Sequence, residues 1–287
     1  MQTEVAMPGI AASIDVAVPG WGSCPAGVEM AGFRGRTDRA VELRMVPYPA
    51  LTVFIDFGSS ALLIDGDGGE SAWGSSVVGL APGTVRAACG YEADCLQIRL
   101  SPVVAHTVLG AGGECSGAVL GLEELWGREA GRVQERLSAA GSWDERFAIA
   151  VAALVRRAEA GRAVDPEIGF VWRRMVNSRG RIRVERLAEE VGWSRKRLWA
   201  RFGAQIGLTP KRAANLIRFD RVAHCLAAGH SAADVAVACG FADQSHLHRD
   251  AVAFAGMTPA AVAAAPWLAV DEVAWPGQAV RNISSRR

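Results

Sequence analysis

Two stretches of this 287-residue chain carry hydrogen-bond donors at helical spacing. In the first, Ser194, Arg195, Lys196 and Arg197 lead into Trp199, Ala200 and Arg201. At about 100° per residue, Leu198 and Phe202 point to one side while Lys196 and Ala200 point to the other, with Arg197 and Trp199 flanking. Guanidinium and ammonium groups donate to phosphate oxygens and to guanine edges, so such a face suits a polyanion. In the second stretch, Gln244, Ser245, His246, His248 and Arg249 stand away from Leu247, Ala251 and Phe254. Amide, hydroxyl and imidazole groups can both donate and accept, which is what reading base edges requires. The chemistry expected of both stretches is recognition of nucleic acid.

The surrounding sequence supplies what must hold these faces. Residues 184–191 form a short helical pattern with Leu187, Ala188 and Val191 on one side. Gly192-Trp193 makes a tight turn, and Ser194 is the residue type that caps a following helix. The second copy repeats the frame. Val235 and Ala238 are expected to pack, Gly240-Phe241 to turn, and Asp243 to cap. Gly192 and Gly240 lie 48 residues apart, and Gly207-Leu-Thr-Pro210 is matched 49 residues later by Gly256-Met-Thr-Pro259. Between the copies, residues 211–227 read as one long helix with Leu216, Phe219, Val222, Ala223 and Leu226 along one side. Two short helices with a glycine turn, the second cationic on its free face, are the pattern of a helix-turn-helix.

Five motifs stand in order here: Leu187-Ala-Glu-Glu-Val-Gly-Trp-Ser194, Gly207-Leu-Thr-Pro210, Leu216-Ile-Arg-Phe-Asp-Arg-Val222, Cys239-Gly-Phe-Ala-Asp-Gln-Ser-His-Leu247 and Gly256-Met-Thr-Pro259. Together they resemble the AraC/XylS family of transcription regulators over residues 180–265, about a third of the chain. The resemblance implies two helix-turn-helix subdomains joined by a linker helix and bound to promoter DNA. It places base-reading positions at Lys196, Arg197, Trp199 and Ala200, and at Gln244, Ser245, His246 and Arg249. Ala251 and Val252 depart from the family pattern, which usually has Phe and a basic residue there. Phe254 is expected to refill the core, and the lost cation to weaken backbone anchoring by the second unit. Ala200 is limited to apolar contact, such as with a thymine methyl. Trp199 has two readings, stacking on DNA or packing at the helix edge.

The net charge of +1 conceals an asymmetry. Residues 1–170 hold 13 Arg or Lys against 21 Asp or Glu, whereas residues 171–260 hold 15 against 7. A basic C-terminal third beside an acidic first half suggests a polyanion-binding module joined to one that does not bind polyanions. Only Lys196 and Lys211 are lysines. No apolar run reaches the roughly 18 residues of a membrane helix, and no basic-then-apolar leader opens the chain, so a cytoplasmic protein without a membrane partner is expected. The six cysteines form no C-x-x-C pair and are expected to be reduced thiols.

Residues 26–102 carry β signals at 41–46, 51–57, 61–65, 75–80 and 95–100, separated by Gly, Ser, Asp and Pro clusters. An antiparallel sandwich or small barrel is expected. Gln97 and Arg99 alternate with Leu96, Ile98 and Leu100, the pattern of a strand with one wet face. Helical spacing follows at 103–109, at 122–137, and from a capping box at Ser142-Trp-Asp-Glu145 to about residue 160. The fold class is therefore α+β. Residues 1–22 are expected as a flexible arm and 23–160 as a β-rich sensing or dimerising domain with its helices. Residues 161–167 read as a linker, 168–265 as the double helix-turn-helix domain and 266–287 as a disordered tail. Gly32-Phe-Arg34, Phe54-Ile-Asp-Phe-Gly58 and Ile98-Arg-Leu-Ser-Pro102 are weakly similar to β-rich sensing domains that precede this module in some relatives.

Arg44, Arg86, Arg99 and His106 either line an effector pocket or lie on strand surfaces. Asp65-Gly-Asp67 lacks the later ligands of a calcium loop and reads as a surface turn. His246 and His248 diverge by about 200° on a helix and share no ligand geometry, so no metal or cofactor is expected. Cys89 and Cys95 read as inert thiols rather than redox sensors. No zinc-type cysteine cluster or G-x-S-x-G elbow is present, and only His106 precedes residue 224, so no enzyme is expected. The expected function is a sequence-specific transcription regulator controlled through its N-terminal domain. Its expected partners are double-stranded promoter DNA, a small-molecule effector, RNA polymerase in the case of an activator, and a second copy of the chain. The competing reading is a ligand-binding or enzymatic N-terminal domain fused to a weakened DNA-binding module.

Overall fold

A computed structural model describes residues 1–6, 13–20, 22–36, 40–59, 61–80, 83–110, 113 and 115–275 of the chain. Among these residues the first part of the chain is β-rich. Its strands are β1 (Gln2–Ala6), β2 (Ser13–Ala17), β3 (Val28–Arg36), β4 (Val41–Met45), β5 (Leu51–Asp56), β6 (Leu63–Gly66), β7 (Ser71–Trp73), β8 (Ser76–Val78), β9 (Val85–Cys89) and β10 (Glu92–Leu100). Helix α1 (Pro102–Leu109) follows, and then β11 (Val119–Gly121). The larger antiparallel sheet has the order β1-β2-β3-β10-β5-β8-β11, and the smaller one β4-β9-β6-β7. The α+β class and the antiparallel sandwich are those expected from the turn spacing.

The segment expected as an arm belongs to the sheet. β1 and β2 pair from Gln2↔Ala17 to Ala6↔Ser13, and β2 then pairs with β3. Ile14, Val16 and Ala17 are buried. The alternation Ile14, Val16 is too short to stand out in a small-residue background, and only the β3 edge gives it a partner. Residues 7–12 and 21 of that segment lie outside the described residues, as do 60, 81 and 82 in two expected turns.

Strand β10 corrects a second expectation. Both of its faces are covered: Gln97 is 0% and Arg99 1% exposed. Leu96 pairs with Gly32 of β3. The site of a Cβ on Gly32 lies within 2.1 Å of the Trp143 ring, so glycine there makes room for the helices that cover this face. Gln97, opposite Ala31 and Phe54, faces the space between the two sheets. Polar alternation marked the strand correctly but could not reveal what lay over its polar side.

Helices α2 (Leu122–Trp126), α3 (Arg128–Ala139) and α4 (Trp143–Ala160) complete this half. The single helical pattern expected over 122–137 is broken at Gly127, whose φ of 57° is a left-handed conformation. Ser142 caps α4 by accepting from the Glu145 amide at 3.2 Å. The Glu145 carboxylate reaches one residue further back than a capping box requires and accepts from the Gly141 amide at 2.9 Å.

The chain then passes through residues 161–165 into α5 (Pro166–Asn177), α6 (Val184–Glu190), α7 (Arg195–Ile206), α8 (Pro210–Ala227), α9 (Ala232–Cys239), α10 (Gln244–Ala255), α11 (Pro259–Ala263) and α12 (Pro266–Ala274). α8 is the spine of this half, with Leu216, Phe219, Val222, Ala223 and Leu226 buried. α12 occupies part of the expected disordered tail, and residues 276–287 lie outside the described residues. It packs on β1, β2, β4 and α8. Asp271, 1% exposed, accepts from Arg99 Nη2 at 2.8 Å and from the Tyr48 hydroxyl, and lies 3.6 Å from His224 Nε2. The Arg99 guanidinium is stacked between the Tyr48 and Trp275 rings, at 3.7 and 4.1 Å from their centroids. Here a strand, α12 and α8 meet on one buried carboxylate.

Candidate nucleic-acid interface

In the first repeat, Leu187 and Ala188 bury the inner face of α6, and Leu198, Phe202 and Ile206 that of α7. Gly192 turns the chain at φ 66°. Ser194 Oγ accepts from the Arg197 amide at 3.2 Å, starting α7 where the sequence places its cap. Ser194, Arg195, Lys196, Arg197, Trp199, Ala200 and Arg201 are all exposed. Arg197 is braced, its guanidinium lying 4.4 Å from the Trp193 ring centroid. Arg195 lies 3.5 Å from Glu185, an exposed ion pair that DNA phosphates can replace at little cost. Trp199 is 41% exposed and stays available for stacking.

Arg201 is differently placed. Its Nε and Nη2 each donate to Asp165 at 2.8 Å, clamping α7 to the start of α5. Partial desolvation raises the Asp165 carboxyl, but Arg201 and Gln205 outweigh it and hold the group below its ordinary value. A residue the sequence reading did not single out takes up the open face. Lys211, in the first turn of α8, lines one shallow groove with Arg195, Lys196 and Trp199. Thr209 caps that helix through the Arg212 amide at 3.3 Å. A lysine at a helix N-terminus meets a phosphate together with backbone donors. The signal was present: the chain's two lysines fall on this one groove.

In the second repeat, Gly240 turns at φ 75° and Asp243 accepts from the His246 amide at 2.7 Å. Leu247, Ala251 and Phe254 are buried, and Phe254 stacks on Phe219 at 5.4 Å, filling the space beside the small Ala251. In α9 the packing residues are Val235 and Ala236; Ala238, expected to pack, is exposed. The buried stripe of α9 runs through Val235, Ala236 and Cys239, and Ala238, about 200° from Ala236 around the helix, falls outside it. Gln244, Ser245, His248 and Arg249 are exposed. His246 is half-buried, set edge-on to Phe241 at 5.4 Å and 4.0 Å from Asp250. Arg249 Nε donates to the Ser245 carbonyl of its own helix at 3.4 Å. Val252, 45% exposed, leaves an apolar spot on this face.

The other residues considered for an effector pocket divide. Arg86 is exposed and pairs with Asp65 and Glu42, Arg44 is exposed, and His106 lies on α1 near Gln205. Arg99 belongs to the buried junction on Asp271. Between the sheets lies a cavity of about 70 Å³ lined in part by Tyr48, Thr52, Val78, Thr84, Gln97 and Val119. Neither amide atom of Gln97 has a hydrogen-bond partner there, although the side chain is fully buried. Asp67, also at the cavity, is engaged by the Thr84 amide at 2.6 Å and its hydroxyl at 2.9 Å.

Comparison with known families matches residues 187–265 to a helix-turn-helix domain. No curated protein matches the sequence. Among solved structures, ToxT from Vibrio cholerae aligns over 84% of this chain and 98% of its own, at 11% identity and a TM-score of 0.48. ToxT bound to (E)-4-(8-methylnaphthalen-1-yl)but-3-enoic acid aligns over 85% and 99%, at 12% identity and 0.47. The AraC-like transcriptional activator CuxR aligns over 80% and 88%, at 16% identity and 0.32. Among the described residues no helix is long and apolar enough to cross a membrane.

Proposed function

We infer that this chain, whose residues 187–265 form a helix-turn-helix domain of the AraC type, is a sequence-specific DNA-binding regulator of transcription. The observation that carries the reading is the doubled unit on one spine helix: two capped helices, α7 and α10, with apolar faces buried and polar faces open. The first helix presents cations for phosphates and guanine, and the second presents the amide, hydroxyl and imidazole groups that discriminate bases. Lys196, Arg197 and Lys211 supply most of the affinity; Gln244, Ser245 and Arg249 supply discrimination. Promoter DNA is the partner, with a second copy of the chain and, in the case of an activator, RNA polymerase as the further partners of a cytoplasmic regulator.

The N-terminal domain is read as the sensor, and its cavity as the effector site. The ligand class that fits is a small uncharged molecule with a donor and an acceptor to pair the Gln97 amide, since a buried amide left unpaired is costly. Among the described residues no Lys or Arg lines the cavity. Tyr48 belongs to the cavity wall, and its hydroxyl holds Asp271, which faces His224 of α8. A ligand that moves Tyr48 therefore acts on the spine that carries both DNA-facing helices.

The test is a fluorescence anisotropy titration with duplexes selected from a random pool. Affinity should fall steeply with salt, and Lys196→Ala should reduce the slope of log K against log salt by about 1. Binding indifferent to salt and to a Lys196→Ala/Arg197→Ala pair would overturn the reading. Small neutral amides screened by thermal shift test the cavity, and stabilisation that survives Gln97→Leu would remove it as the site.

A further inference from the structure

Both DNA-facing helices meet the β domain at their C-terminal ends. The Gly83 amide donates to the Phe254 carbonyl, in the last turn of α10, at 2.7 Å. The last carbonyls of a helix have no partner within it, so this bond caps α10 from the β domain. Gly113 approaches α7 as closely: a Cβ there would stand 2.5 Å from the Ala204 carbonyl oxygen. Gly83 and Thr84 line the cavity between the sheets, as does Gly117, four residues beyond Gly113.

The Gly83 contact is built from inside that cavity. Asp67, in the turn between β6 and β7, accepts from the Thr84 amide at 2.6 Å and from its hydroxyl at 2.9 Å. Thr84 is 4% exposed. Gly83 has a φ of 121°, and a Cβ on it would stand 3.1 Å from Asp67 Oδ2, so the position suits glycine alone. On the other side of the bond, Phe254 stacks on Phe219 of the spine helix. Gln244, Ser245, His248 and Arg249 lie in the first half of α10 and stay exposed, so the contact grips the helix without covering its open face.

We propose that Gly83, fixed by Asp67 through Thr84, is a positioning contact that sets α10 for the second DNA segment. The cavity wall is then the element by which the β domain controls that unit. This rests on the DNA-binding function proposed above. The two helices differ in how far they depend on such a contact. α7 is tied to the start of α5 by Arg201 and Gln205, both on Asp165, at 2.8 Å in each bond. α10 is tied to α8 by the Phe254 stack and by Arg218 on Asp250 at 3.4 Å, the long end of hydrogen-bond range. Without Gly83 the Phe254 carbonyl turns to water, the last turn frays, and the helix pays more ordering entropy on binding. Whatever draws Asp67 away from Thr84 at the cavity slackens the same grip.

The test uses the full-length protein and begins without DNA. Hydrogen exchange of peptides covering α10 should quicken on the order of tenfold in Gly83→Ala and in Asp67→Ala, while peptides covering α7 keep their rates. Thr84→Ser, which keeps the hydroxyl, should match the unaltered protein, and Thr84→Val should fall between. Equal α10 exchange in the unaltered protein, Gly83→Ala and Asp67→Ala overturns the proposal. Hydroxyl-radical footprinting then uses the duplex best selected by the unaltered protein. Two segments should be protected, and Asp67→Ala should lose one of them, with overall affinity lower on the order of tenfold. Faster α10 exchange with both segments still protected at unchanged affinity overturns the control of DNA binding. Unaltered protein that binds no duplex overturns instead the function proposed above, and the exchange rates still judge the contact.

Discussion

Arg197 of α7 and Arg249 of α10 are both exposed but differ in what holds them. Arg197 is braced on Trp193 and flanked by Arg195 and Lys196. Arg249 donates to its own helix and has the apolar Val252 close by. A guanidinium already ordered loses less freedom on binding a phosphate or guanine. Arg197→Ala is therefore expected to weaken duplex binding by about 1–3 kcal/mol, and Arg249→Ala by less. Anisotropy titrations of both variants against one duplex check the order, and the reverse order refutes it. Arg201 looks equivalent in sequence, but its commitment to Asp165 makes it a clamp between α5 and α7. No spacing argument separates a cation aimed at solvent from one aimed at a carboxylate 36 residues away.

At the scale of elements, α12 is the largest departure from the expected organisation. It closes the β domain and reaches the spine helix through one carboxylate. Arg99 is 1% exposed, so removing the Asp271 charge takes from a buried cation the carboxylate it donates to. Asp271→Asn is expected to destabilise the protein by about 3–5 kcal/mol. Urea denaturation with an unchanged slope and a lowered midpoint would support this, whereas an unaltered midpoint would show that α12 does not hold the junction. The helix escaped notice in sequence because its apolar residues, Trp267, Leu268 and Val270, are too few to set a period. Their burial needs the faces of β1, β2, β4 and α8, which exist only once the rest has folded.

Across the whole molecule the junction makes stability depend on pH. Burial alone would lower the His224 pKa, but Asp220 and Asp271 outweigh it and hold the imidazole at about 9, against an ordinary value of 6.5. A raised folded value means that the stabilising contribution is complete below 6.5 and disappears as pH rises through about 9. Asp271 has the opposite sign: burial raises it, but Arg99, His224 and Tyr48 hold it below 3.8, so its contribution is lost only in acid. The alkaline loss amounts to at most about 3.5 kcal/mol, from roughly 1.4 kcal/mol per pKa unit. Urea midpoints at pH 6.5 and 9.5 should differ in that direction, and His224→Gln should flatten the difference. A midpoint equal at both pH values in the unaltered protein refutes the argument.

What the sequence determined by itself is local and repeated. Leu198 and Phe202 beside Ser194, or Leu247 and Phe254 beside Asp243, specify a capped amphipathic helix because cap, period and turn all act within a dozen residues. The same holds for the α8 stripe and for the turn-separated strands of the sandwich. Tertiary structure alone decided what covers a polar side chain. Gln97 and Arg99 read as a wet strand face, yet one faces a cavity between sheets and the other a carboxylate 172 residues on. The physical reason is the same in each case. Burial and charge pairing are set by distance in space, and a one-dimensional pattern carries that distance only when the partners are neighbours in the chain.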